Sequence, residues 1–144
     1  MATKGPLPHV VLDTNVVVAA IRSRNPNSPT LELLRRWVRC EFVLLYCDDV
    51  YAEYVAKLSE LATTSSVREM FLATVIRRAE YVAVRDKQVL PVTADRDDDA
   101  VIACAVVGKA THLITYDPHL TALGPHYKAV AILDALSFLQ ELRQ

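Results

Sequence analysis

Short runs of β-favouring apolar residues alternate along this chain with stretches whose apolar residues recur at helical spacing, and that alternation restricts the fold more than any other feature. Residues 9–12, 42–46, 81–84, 112–115 and 130–133 read as strands. Between them, Val16 to Ile21 follows a polar break at Asp13-Thr14-Asn15, and Leu31, Leu34, Trp37 and Val38 share one helical face. Val50, Tyr54 and Leu58 share another, residues 67–79 and 95–108 form two more helices, and Asp134 opens a last one through Leu142. Consecutive strands joined through helices require crossover connections. The chain is therefore expected to be an α/β protein, with a central parallel sheet buried on both faces. In such sheets a ligand sits beyond the carboxyl ends of the strands, where strand order reverses.

At 144 residues, 52% of them hydrophobic, the chain is long enough to bury a core without disulfides, and a single domain over residues 1–144 is expected. Sixteen Lys and Arg against seventeen Asp and Glu give a net charge of -1, so no broad basic field draws in a polyanion. Cys40, Cys47 and Cys104 are widely spaced and odd in number, which suits small buried residues in a reducing compartment. Residues 1–6 lack the apolar stretch of a secretory leader and the longest apolar runs are too short to span a bilayer, so a cytoplasmic location and no membrane partner are expected.

Function is written in the acids. Two strands end on carboxylates, at Asp13 and Asp117, and a third group, Asp95, Asp97, Asp98 and Asp99, opens a helix. Four carboxylates within five residues repel one another unless solvent or a cation screens them, and converging acids are the usual oxygen cage for Mg²⁺ or Mn²⁺. Each acid alone also suits a helix cap. No Ser-His-Asp or Cys-His arrangement is visible, and nothing near Cys47 in the sequence lowers its pKa. His112 lies within an apolar strand, where a hydrogen-bonded core histidine is expected, whereas His119 and His126 fall in loops. Trp37 falls at core spacing.

Over nearly the whole chain these residues resemble the PIN domain family, in particular its bacterial branch of toxins from toxin-antitoxin pairs. Val10-Val-Leu-Asp13-Thr14-Asn15 is similar to the family's opening motif, and Cys47-Asp-Asp-Val-Tyr-Ala-Glu53 to its second, where a helical Glu is the second acid. Asp95-Arg-Asp-Asp98-Asp99-Ala resembles the third motif, and His112-Leu-Ile-Thr115-Tyr-Asp117 the fourth. The departures are Cys47 for a frequent Ser, Arg96 for a Pro, and Tyr116 for a small residue.

The resemblance implies an α/β/α sandwich in which Asp13, Glu53, Asp98 and Asp117 meet as catalytic, metal-holding acids, with Asp99 as a further ligand or a substitute for Asp98. It implies that Asn15 and Thr115 orient the carboxylates, and that Mg²⁺ or Mn²⁺ is the cofactor for hydrolysis of RNA phosphodiester bonds. Arg22, Arg24, Arg96 and Tyr116 are candidate substrate contacts, with Arg35, Arg36 and Arg39 more simply a solvated helix face. A homodimer and a cognate antitoxin are the partners expected on the same ground. An aspartyl-phosphate phosphatase needs a second acid two residues after the first, where Asn15 stands. The remaining alternative is a PIN-like module that binds RNA, or acts as a scaffold, without cutting.

Overall fold

Val10, Val11 and Leu12 are all withdrawn from solvent in the computed structural model, which describes residues 5–144. Successive strand residues point to opposite faces, so strand β1 (His9–Leu12) must be covered on both sides. Strand β2 (Val43–Tyr46) buries three consecutive residues in the same way. With β3 (Glu80–Tyr81), β4 (His112–Ile114), β5 (His126–Tyr127) and β6 (Val130–Leu133) they form one sheet in the order β3-β2-β1-β4-β6-β5. β1 lies between β2 and β4 and is parallel to both, in the registers His9↔Val43 and Val10↔His112. Strand order therefore reverses between β1 and β4.

The expected α/β sandwich is present, with two local corrections to the sheet. β5 runs antiparallel to β6, in a hairpin that turns at Lys128 with φ 52°. A two-residue strand carries no periodicity, and a hairpin needs no crossover helix to announce it. The strand expected at 81–84 is Glu80–Tyr81 instead. The Val82 N–H bonds the Tyr46 carbonyl at 2.7 Å, after which Val84 leaves the sheet to pack beside Val89, Ala100 and Ala103.

Among the described residues seven α-helices flank the sheet: α1 (Thr14–Arg22), α2 (Pro29–Val38), α3 (Asp48–Ser59), α4 (Ser65–Arg78), α5 (Arg96–Val107), α6 (Pro118–Thr121) and α7 (Ala135–Leu142). Their starts follow from caps. Ser28 accepts from the Leu31 N–H with Pro29 in the first turn, and Asp95 and Asp134 accept from Asp97 and Ser137. Asp13 and Asp117 also accept hydrogen bonds at the starts of α1 and α6. Helix α5 contacts β1, β2 and β4, and ends at Gly108, where a Cβ would lie 2.8 Å from Val82 and from the Cys104 carbonyl. That close approach needs glycine.

Phe42 packs edge-on against Phe138 at 5.5 Å, and Trp37 against Phe71 at 6.3 Å, so Trp37 is a packing residue. Fully buried aromatic rings such as Phe42 and Phe138 each contribute about 1.5–3 kcal/mol. His112 lies on Phe138, with its ring nitrogens 2.7 Å from Thr111 Oγ1 and Glu141 Oε2. Cys47 and Cys104 are buried, but Cys40 is exposed in a left-handed turn (φ 62°) where the chain leaves α2, contrary to the expectation that all three are core residues. No described helix is long and apolar enough to cross a membrane.

Candidate active site

The strands β1 and β4 deliver Asp13 and Asp117 to the same sheet edge, because the Asp13 N–H continues their ladder onto the Ile114 carbonyl at 2.9 Å. Thr115, wholly buried, ties the two acids together. Its hydroxyl donates to Asp13 Oδ2 at 2.7 Å and accepts from the Asp117 N–H at 2.9 Å. Asp13 Oδ1 accepts from the Thr14 N–H at 2.9 Å, so both oxygens of this carboxylate are oriented. Burial raises the Asp13 pKa and the charge of Asp117 adds to the rise, while the bonds from Thr115 and Thr14 oppose it.

Glu53 arrives from α3, held in depth by its neighbour. Tyr54 is completely buried and donates its hydroxyl to the carbonyl of Leu12, the residue before Asp13. The Glu53 carboxyl is raised by burial and then by the charges of Asp13 and Asp97, with Lys57 one turn on working against them. Asp98 comes from the first turn of α5. Its pKa is raised to about 7, by burial first and then by the charge of Asp117 and a hydrogen bond with it. Its Oδ2 is buried and has no hydrogen-bond partner.

Asp13, Glu53, Asp98 and Asp117 thus line one open cleft of about 840 Å³ at the β1/β4 switch point. Two neighbouring caps, Asp13 and Asp117, keep their helix-capping bonds while facing it, so capping and site formation are not alternatives here. Arg22, Lys57 and Tyr116 share the wall.

Several expectations change at this level. Asp99 does not join the cleft. Its Oδ1 accepts from the N–H groups of Val92 and Thr93 and from the Thr93 hydroxyl, at 2.7–3.1 Å, because the next residue on a helix points about 100° away from Asp98. Asn15 lines the cleft, and its Oδ1 accepts from the Tyr116 N–H at 3.3 Å, so the bond it makes holds the Tyr116 backbone between Thr115 and Asp117. Arg24 borders an adjoining groove that shares Arg22, and Arg96 borders another that shares Glu53 and Lys57. Arg36 is paired with Glu32 and Glu41, and Arg35 bonds the Pro26 carbonyl.

One cleft residue, Lys57, and one residue beside the cleft acids, His119, were not legible as such. Lys57 reads as one more charge on a helix face, although its position one turn after Glu53 is the signal. His119 reads as a loop residue, yet it lies in α6 with Nδ1 3.3 Å from Asp117 Oδ1 and 3.7 Å from Asp98 Oδ2. Cys47 has a neighbour that sequence distance hides. The thiol of Cys104 beside it outweighs burial and lowers Cys47 to about 7, but with Cys47 2% exposed there is no path for a substrate.

Chemically, converging carboxylates with a buried oxygen that accepts no hydrogen bond suit a hard divalent cation.

Solved structures of known proteins share the fold. A chain of the Rickettsia felis VapBC2 complex, solved bound to a DNA fragment from its promoter, superposes with a TM-score of 0.59 at 15% identity, covering 86% of this chain and 96% of that one. Mycobacterium tuberculosis VapC20, a Sarcin-Ricin loop cleaving toxin, gives 0.58 at 12% identity, with 80% and 95% covered. PAE2754 of Pyrobaculum aerophilum gives 0.61 at 16% identity, with 95% and 90% covered. No curated protein sequence matches. The PIN domain family model matches residues 9–119, a span that holds all four cleft acids, and the chain belongs to the PIN domain family.

Proposed function

We propose that the cleft hydrolyses RNA phosphodiester bonds with a divalent cation, Mg²⁺ or Mn²⁺, and that the chain, a single PIN domain, is the toxin of a toxin-antitoxin pair. The observation that carries the reading is Asp98, whose buried, unpartnered oxygen sits among three further acids at the switch point of the sheet. Asp13, Glu53, Asp98 and Asp117 would hold the ion. When bound, such an ion lowers the pKa of a water and offsets charge on the scissile phosphate.

The chain's own residues do the rest. Thr115 fixes Asp13 and the Asp117 backbone relative to each other, and Tyr54 sets the depth of α3 and so of Glu53. Arg22 and Lys57 supply positive charge on the cleft wall, from which the grooves of Arg24 and Arg96 continue. They supply local positive charge to a phosphate backbone in a cleft where acids outnumber them, so a bound cation would carry the rest. Tyr116, 44% exposed, offers a ring face to an unstacked base. Similarity to VapC20 and to the VapBC2 complex supports RNA as substrate and an antitoxin as partner. A homodimer acting in the cytoplasm completes the reading.

The test is cleavage of a mixed RNA pool by wild type and Asp13→Asn, each with Mg²⁺, Mn²⁺ or EDTA. Cutting that needs metal and is lost in the variant supports the nuclease. Binding of RNA without cutting in any condition replaces it with the non-catalytic module.

A further inference from the structure

The geometry points to His119 as a nitrogen ligand that completes the ion site with Asp98 and Asp117 and tunes it toward Mn²⁺ rather than Mg²⁺. This deepens the nuclease reading and rests on it.

One donor atom each from Asp98, Asp117 and His119 lie within 4.8 Å of one another. His119 Nδ1 is 3.3 Å from Asp117 Oδ1 and 3.7 Å from Asp98 Oδ2. Neighbouring ligands of an octahedral ion with bonds of about 2.1 Å are about 3 Å apart, so small side-chain adjustments bring all three to one ion. An acidic cluster alone would not suffice. Here Asp98 is 7% exposed, and the oxygen nearest the imidazole is the one buried without a hydrogen-bond partner. A carboxylate oxygen in that state requires a cation or a proton.

The local fold holds the ring there for a reason. Asp117 caps α6 by accepting from the His119 N–H at 2.9 Å, which fixes the histidine backbone against the carboxylate. Pro118 between them holds the turn. The side chain is 71% exposed, so core packing does little to set its orientation.

The consequence is ion choice. Oxygen ligands serve Mg²⁺ and Mn²⁺ alike, whereas imidazole nitrogen favours first-row transition ions and adds little for Mg²⁺. His119 therefore separates two ions that the carboxylates do not.

The experiment uses the full chain, wild type and His119→Gln, loaded with Mn²⁺ and read by pulsed electron paramagnetic resonance and by equilibrium binding of Mn²⁺ and Mg²⁺. Thermal melting establishes that the variant is folded. Expected are a ¹⁴N coupling to Mn²⁺ in wild type that vanishes in His119→Gln, and Mn²⁺ affinity about tenfold weaker in the variant with Mg²⁺ affinity unchanged. Mn²⁺ bound to wild type without ¹⁴N coupling, or equal weakening of both ions, overturns the ligand role and leaves the carboxylate site standing. Absence of Mn²⁺ binding to wild type overturns both, and Asp98→Asn tells the cases apart by losing the bound ion if the acids hold it.

Discussion

Replacing Asp98 by Asn is expected to stabilise the metal-free protein at neutral and higher pH, even though it removes a site residue. The Asp98 pKa rises from 3.8 to about 7 in the fold, because burial and the nearby Asp117 charge both disfavour its ionised form. A folded pKa above the unfolded one means that the native state binds the extra proton. Ionisation then costs stability progressively as pH rises from about 4 to about 7, and the full cost is present above that. At about 1.4 kcal/mol per pKa unit the shift sets an upper bound of about 4 kcal/mol. Asp98 faces an open cleft, where water screens the charges of Asp117, Asp95 and Asp13, and about 1–2 kcal/mol survives. The near-isosteric amide also donates to Asp117 where two carboxylates met. For a chain of this size the gain corresponds to a melting temperature higher by about 3–6 °C near pH 8, shrinking toward zero by about pH 4. The assay is thermal denaturation followed by circular dichroism in EDTA at both ends of that range. A variant that melts below wild type near pH 8, or one whose advantage does not depend on pH, refutes the reasoning.

Other perturbations separate the parts of the account. Thr115→Val keeps the shape but removes the donor to Asp13 and the acceptor for the Asp117 N–H, so chemical denaturation should show a loss of about 1–3 kcal/mol, and RNA cleavage should fall with it. Asp99→Ala frees the loop at Val92 and Thr93 and should cost about 2 kcal/mol in the same assay while Mn²⁺ affinity in binding titrations stays within about twofold. Arg22→Ala should raise KM for RNA and flatten its salt dependence by about one counterion, with kcat and melting unchanged in steady-state kinetics across a salt series.

Most of the sheet is legible in the sequence because β1, β2 and β4 bury consecutive residues on both faces, and β6 alternates buried with half-buried ones, so that all four read as apolar runs ended by polar residues. β5 escapes because two residues make no pattern, and β3 is read as a strand but placed at 81–84, because its extent is decided by what Tyr46 offers across the sheet. The acids at strand ends follow from chain order. Which oxygen faces the cleft does not. Asp98 and Asp99 are adjacent and chemically identical in the sequence, and only the loop at 92–93 claims Asp99. Asn15 likewise has a carboxylate near it in sequence but finds the Tyr116 backbone in space. Lys57, His119 and the Cys47–Cys104 neighbours depend on helix rotation and long-range contact, which residue spacing does not carry.

The central claim is that four acids act as one metal-holding centre for RNA cleavage. Its most direct measurement is the single-turnover RNA cleavage rate with saturating Mn²⁺ for Asp13→Asn, Glu53→Gln, Asp98→Asn and Asp117→Asn, each shown by melting to be folded. The expected result is a rate lower by about 100-fold or more in every variant, since even groups that only support metal ligands are worth about 10–100-fold. Wild-type cleavage that survives EDTA, or folded variants of Asp13 and Asp98 that cut at the wild-type rate, would contradict it.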